Sequence, residues 1–154
     1  MKKTIFILSA ILVASFSFAQ MPEKFVKAME AKVPAVDTTV SVQGLTDLAN
    51  SFERIAVAEK NQWLPYYYAA LCNATAGLMI GSGGDIMVAK ADKTDPYADK
   101  ADMQIKKAEE LVKNNSEIYV VKKMIATLRM MGDVMSRPRL TCRKHKPCLM
   151  KQKN

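Results

Sequence analysis

Cysteine, histidine and carboxylate side chains hold metals and move protons, and the tightest such group in this chain is Cys142, His145 and Cys148. Zinc takes four ligands, whereas this run offers three at no zinc-motif spacing and crowds them with Arg143, Lys144 and Lys146. No metal is expected there. His145 is the only histidine, so a histidine-based triad or proton relay has no partner in the body of the chain. Asp85, Asp92, Asp95, Asp99 and Asp102 invite a calcium reading, but they lack the alternating ligands of an EF-hand loop and are interleaved with Lys90, Lys93 and Lys100. They read as a solvated helix face. Gly81-Ser82-Gly83-Gly84-Asp85 has neither the lysine nor the strand-to-helix setting of a phosphate loop and reads as a connector. Glu109 and Glu110 read as surface carboxylates, with Lys106 and Lys113 at helical spacing for weak ion pairs. The sequence therefore predicts no catalytic residues, no cofactor site and no enzyme.

Aromatic residues carry more information. Trp63, Tyr66, Tyr67 and Tyr68 fall within six positions, and a helix cannot turn all four to one side. Trp63, Tyr66 and Tyr67 share a face that reads as core. Tyr68 points elsewhere and is the candidate partner contact, because an amphipathic ring serves well at an interface. Met124, Met130, Met131 and Met135 read as adaptable core. Cys72 reads as a small core residue, and the odd count of three cysteines argues against a disulfide framework.

These residues sit on helices, and the expected fold class is all-α. Met21-Pro22 starts a short helix with Phe25 and Met29 on its apolar stripe, ending at Pro34. Residues 35–43 imitate a strand but are isolated, so a loop is expected. Leu45, Leu48, Ala49, Phe52, Ile55 and Ala56 recur in steps of three and four, one helical face over about Leu45 to Lys60. A helix from Gln62 to Ile80 should stop at Gly81, and the connector from Asp85 to Thr94 leads to a helix capped by Asp95-Pro96. That helix breaks at Asn114-Asn115, and Ser116 caps the next, which carries Ile118, Val121, Met124, Ile125, Leu128 and Met131.

Paired helices of this kind resemble tetratricopeptide (TPR) repeats. Trp63-Leu64-Pro65-Tyr66-Tyr67-Tyr68-Ala69-Ala70 is similar to the first, or A, helix of a unit. Ala101, Ile105, Ala108 and Leu111 with the Asn114-Asn115 break resemble its B helix and exit turn, and Ser116-Glu117-Ile118-Tyr119 the next A helix. The Leu45–Lys60 helix resembles the B helix of a preceding unit. The likeness covers roughly half of the chain as one and a half to two degenerate units. The glycine after the first-helix leucine and the closing proline are absent, and the segment from Gly81 to Thr94 is longer than the family's tight turn. Stacked antiparallel hairpins, forming a fragment of an α-solenoid that binds proteins on its concave face, are what the resemblance implies. An unrelated helical bundle has the same periodicity.

The two ends differ from the body. Lys2-Lys3, a run of apolar and small residues, and Ser17-Phe18-Ala19 have the layout of a secretory signal peptide cleaved after Ala19. No other apolar run reaches membrane-spanning length, so no stable membrane anchor is expected. The net charge of +8 resides in the ends: residues 20–136 hold 14 Lys/Arg against 15 Asp/Glu, which argues against nucleic acid. Residues 137–154 hold seven basic residues and no acid. Read from the last base of one codon into the first two of the next, the Met150-Lys151 junction must encode glutamate. One allowed shifted reading from the Leu140 junction is AYVQEAQTMLNEAKK, which has helical spacing. The expected organisation is a signal peptide (1–19), a TPR-like helical domain (20–136) and a basic tail (137–154) that is disordered or out of frame. The functional expectation is an exported scaffold, periplasmic or extracellular, with a protein or peptide partner. The alternative is a small exported helical protein holding a peptide or small apolar ligand in a bundle pocket.

Overall fold

The computed structural model describes residues 23–83 and 91–133, and these form six helices with no strand among them. The proposed signal peptide, the Met21-Pro22 helix start, Met135, the basic tail and the Cys142–His145–Cys148 group lie outside the described residues. Helix α1 (Glu23–Glu30) buries Phe25 and Met29, four residues apart on one face.

The expected loop over residues 35–43 is corrected: α2 (Val33–Thr38) is helical, with Pro34 in its first turn. Proline there has its φ pre-set and lacks only an N–H that has no partner inside the helix anyway, so Pro34 starts a helix where it was expected to end one. The Thr39 N–H and hydroxyl both donate to the Ala35 carbonyl, at 3.0 and 2.6 Å, and close this short turn.

Ser41 then caps α3 (Val42–Ala58), its Oγ accepting from the Gly44 N–H at 3.1 Å. Leu45, Ala49, Phe52 and Ala56 form the buried face of α3, as their spacing predicts. Helix α4 (Trp63–Ser82) follows and passes through Gly81 without stopping. Gly81 is buried beside Thr94 and Met131, so tertiary packing overrides glycine's weak helix propensity. The expected left-handed stop is absent at Gly83, whose φ is −75°.

Helix α5 (Ala91–Leu111) begins before Asp95-Pro96, placing Pro96 inside it. The missing N–H forfeits the bond to the Asp92 carbonyl, while Thr94 and Ala98 on either side of the proline are fully buried and hold the segment in place. At its far end Asn114 takes the left-handed conformation (φ 56°), which asparagine tolerates. Asn115, one residue before the expected Ser116, caps α6 (Ser116–Gly132) by accepting from the Glu117 N–H at 2.9 Å. Asn115→Ala should therefore cost about 1 kcal/mol, read as a lower urea midpoint with an unchanged slope.

Helix α4 is the centre. It packs against α3, α5 and α6, and α5 also packs against α6. A helix with three neighbours cannot carry a single apolar stripe, and α4 buries Ala69, Ala70, Cys72, Asn73, Ala74, Ala76, Gly77 and Gly81 around most of its circumference. Small side chains let three helices approach one. Two apolar clusters result. Ala69, Cys72 and Ala76 join Phe25, Met29, Leu45, Ala49 and Phe52 on one side of α4. Ala70 and Ala74 join Ala98, Ile105, Ile118, Val121, Ile125 and Leu128 on the other, and Tyr97 touches both clusters.

Candidate functional site

Along α4 the half-buried residues are Trp63, Leu64, Tyr66, Tyr67, Tyr68, Leu71, Thr75, Leu78, Met79 and Ile80, and five of them form one row, Leu64, Tyr68, Leu71, Thr75 and Leu78. Their steps of four, three, four and three put them on one line along the helix. The line follows the seam between the clusters: Leu64 and Tyr68 lean on the α1–α3 side, Leu71 and Leu78 on the α6 side. Leu71 and Leu78 are apolar periodic positions in the sequence. Their place at the outer edge follows from the count of helices around α4, which the sequence alone does not supply.

The aromatic group divides across this seam. Trp63, Tyr66 and Tyr67 pack on the α5–α6 cluster. The Trp63 and Tyr67 rings meet edge-on at 5.8 Å, and Tyr66 donates its hydroxyl to the Ala56 carbonyl at 3.2 Å while Lys107 lies 5.6 Å from its ring. Tyr68 turns the other way. Its ring stacks on buried Phe52 at 5.2 Å and meets Tyr67 at 5.1 Å and 73°. Tyr68 is thus half-buried, with one face in the core and the rest at the edge of α4.

Burial raises the pKa of both phenols, and Glu117 raises them further; Tyr68 adds to the effect on Tyr67, and Asp37 to that on Tyr68. The two carboxylates that raise these phenols come from different helices, Asp37 from α2 and Glu117 from the first turn of α6. Sequence spacing cannot bring together residues eighty positions apart.

The other acids of the body are placed differently from their expected pairs. Lys106 bonds to Asp102 at 2.7 Å, one turn back on α5. Glu109 takes Lys122 of α6 through both carboxylate oxygens at 2.9 Å, where a local pair with Lys106 or Lys113 was expected. Arg129 reaches Asp99 at 2.9 Å. These last two bridges tie α5 to α6, and exposure to solvent keeps each of them weak. Among the described residues no three His, Cys, Asp or Glu side chains gather as a metal site. An open depression of about 440 Å³ lies beside Asn50, Glu53, Arg54 and Val57 on the outer side of α3.

Cys72 is fully buried, and burial pushes its thiol up to about 12 from 9.0. The folded state then resists ionisation more than the unfolded chain does. Stability is retained below pH 9, the ordinary thiol value, and is lost as pH rises from there toward 12. At pH 10 the loss should be about 1 kcal/mol. Urea melts at pH 8 and pH 10 check this, with Cys72→Ala removing that part of the slope. The raised phenols of Tyr67 and Tyr68 act in the same direction at still higher pH.

Comparison with protein families, curated proteins and solved structures yields no match. The class of the protein is therefore defined by its own fold: an all-α protein in which one small-residue helix is surrounded by its neighbours. No helix among the described residues is long and apolar enough to cross a membrane.

Proposed function

We propose that this chain is an exported, non-enzymatic interaction scaffold of TPR-like type, binding a protein or peptide along the outward edge of α4. The carrying observation is the order of helix contacts. In stacked hairpins an A helix lies against the B helix before it, its own B helix and the next A helix. Helix α4 has those three neighbours in α3, α5 and α6, and α5 lies against α6 as a B helix lies against the following A helix. Helices of 20 and 21 residues in α4 and α5 are long for such a unit, which lengthens the edge available to a partner. The layout of residues 1–19 supports export to the bacterial periplasm or beyond.

A photo-crosslinking residue placed at Leu71, with a matched one at Asp47 on the exposed side of α3, tests this reading in cells that make the full chain. A discrete protein adduct from position 71 and none from position 47 is expected. Adducts of equal yield from both, or from neither, would sink it. A small apolar molecule that raises the melting temperature with no adduct at position 71 would favour a ligand held inside the helical bundle.

A further inference from the structure

Helix α6 buries one side only. Ile118, Val121, Ile125 and Leu128 face α4 and α5. Three of the seven large apolar side chains left exposed among the described residues lie elsewhere on this one helix: Tyr119, Val120 and Met130. Tyr119, Ala126 and Met130 are spaced by seven and four residues and so form one exposed line, with Lys123 beside it. Next to that line run the two bridges to α5, Lys122–Glu109 and Arg129–Asp99. The line thus borders the α5–α6 seam, where one more helix could lie. Residues 137–154 as encoded suit it poorly, because their seven basic residues and no acid would bring like charge to Lys123.

The shifted reading AYVQEAQTMLNEAKK suits it well. Codon usage is free at many of its positions, but not at those that matter most. At its third and ninth positions, the junctions into Cys142 and Cys148, only valine, leucine or methionine can be encoded. At its sixth and thirteenth, the junctions into His145 and Gln152, only alanine or threonine can be. Steps of three, three and four put these four positions on one helical face, and the obligatory glutamate at the twelfth falls outside it. The genetic code therefore gives this frame an amphipathic helix whichever codons are used. Its two glutamates and two lysines cancel. Fifteen helical residues span about 22 Å, enough to cover the distance of about 16 Å from Tyr119 to Met130. Residues 133–139 separate the end of α6 from the first of them, a usual length for the connection between antiparallel helices.

We propose that the line of Tyr119, Ala126 and Met130 is the seat of a further helix, encoded by the same gene one base back from the present frame beyond about Pro138, and packed antiparallel to α6 beside α5. This face is a different surface from the α4 edge, and its occupant does not depend on the scaffold reading. Alanine at position 126 lets a second helix approach closely, while Tyr119 and Met130 enclose its two ends.

The gene's DNA across codons 130–154 gives the first test. The shifted frame should run open through the Cys142–Arg143 and His145–Lys146 junctions, the two places within the reading where a stop codon is allowed. A stop at either overturns the proposal. The second test compares the full chain with one carrying the shifted reading in place of residues 140–154. The shifted chain should show a higher urea midpoint and a steeper slope, because it buries more surface. Peroxide should oxidise its Met130 about tenfold more slowly. Ala126→Arg, at an exposed position, should leave the midpoint of the present chain unchanged and cancel both effects in the shifted one. No gain, or a gain that survives Ala126→Arg, overturns the proposal. So does slower oxidation of Met130 in the present chain than in one lacking residues 137–154, which would make the in-frame segment the occupant. Dimerisation of the present chain that Ala126→Arg abolishes would identify a second copy on this face and overturn it as well.

Discussion

Gly77→Val should destabilise the protein by about 3 kcal/mol and loosen α6 before any other helix. A Cβ at Gly77 would lie 2.4 Å from Leu128 Cδ2 and 3.0 Å from Tyr97 Cβ. The first neighbour is the end of a leucine, which in an open setting would swing aside. Leu128 is fully buried and has nowhere to go. The second neighbour is worse, because a Cβ is fixed to the α5 backbone and moves only with the helix. Helix propensity works in the opposite direction, since replacing a mid-helix glycine by alanine gains about 1 kcal/mol. Gly77→Ala should therefore show a smaller net loss, and valine's two further methyls should expose the full steric cost. Hydrogen exchange should speed in α6 while α3 stays protected, because the α3 cluster lies across α4 from the intrusion. Adding Leu128→Ala should recover part of the loss by vacating the contested space. Full tolerance of valine would mean that α4 and α6 do not approach this closely.

Much of this architecture is legible in the sequence, and its omissions have physical causes. The buried faces of α3 and α6 follow from steps of three and four at Leu45, Ala49, Phe52 and Ala56 and at Ile118, Val121, Ile125 and Leu128. Element boundaries are harder to read because proline and glycine each have two local meanings. Pro34 opens α2 and Pro96 sits inside α5, and the difference is made by the burial of Thr94 and Ala98, a tertiary fact. Gly81 continues α4 for the same reason.

The candidate site divides similarly. That Tyr67 and Tyr68 face different ways follows from the 100° turn per residue of any α-helix. Glu117 and Asp37 raise these phenols from α6 and α2, far from them in sequence, so no local pattern announces them. The same holds for Lys122, which replaces the helical neighbours expected for Glu109. Residues that build one helix are readable one at a time, whereas residues that meet across helices become readable only from the packing.

Gln104 shows what such a cross-helix meeting implies, and Gln104→Glu should be the most damaging isosteric change in the molecule. Gln104 is 4 % exposed on α5, and its Nε2 donates to Glu53 Oε1 of α3 at 2.8 Å. Its own Oε1 has no hydrogen-bond partner among the described residues. Substitution by glutamate replaces the donor with a second carboxylate at the same distance, in a place where water screens little. The cost should be about 3 kcal/mol or more at pH 7. Burial and the neighbouring charge both raise the new carboxyl's pKa in the folded state, so the penalty is absent below the ordinary carboxylate range and grows as pH rises above it. Near pH 4 the introduced carboxyl is protonated and its O–H can donate to Glu53 as the amide did, so the variant should approach the parent's stability. Gln104→Met makes the complementary point: it removes an unpaired buried acceptor along with one hydrogen bond, and Glu53, being only half-buried, can turn to water. That variant should change stability by less than about 1 kcal/mol. Denaturant melts of both variants at pH 4 and pH 7 check the pair. A Gln104→Glu protein as stable as the parent at neutral pH would show that α5 does not present position 104 to Glu53.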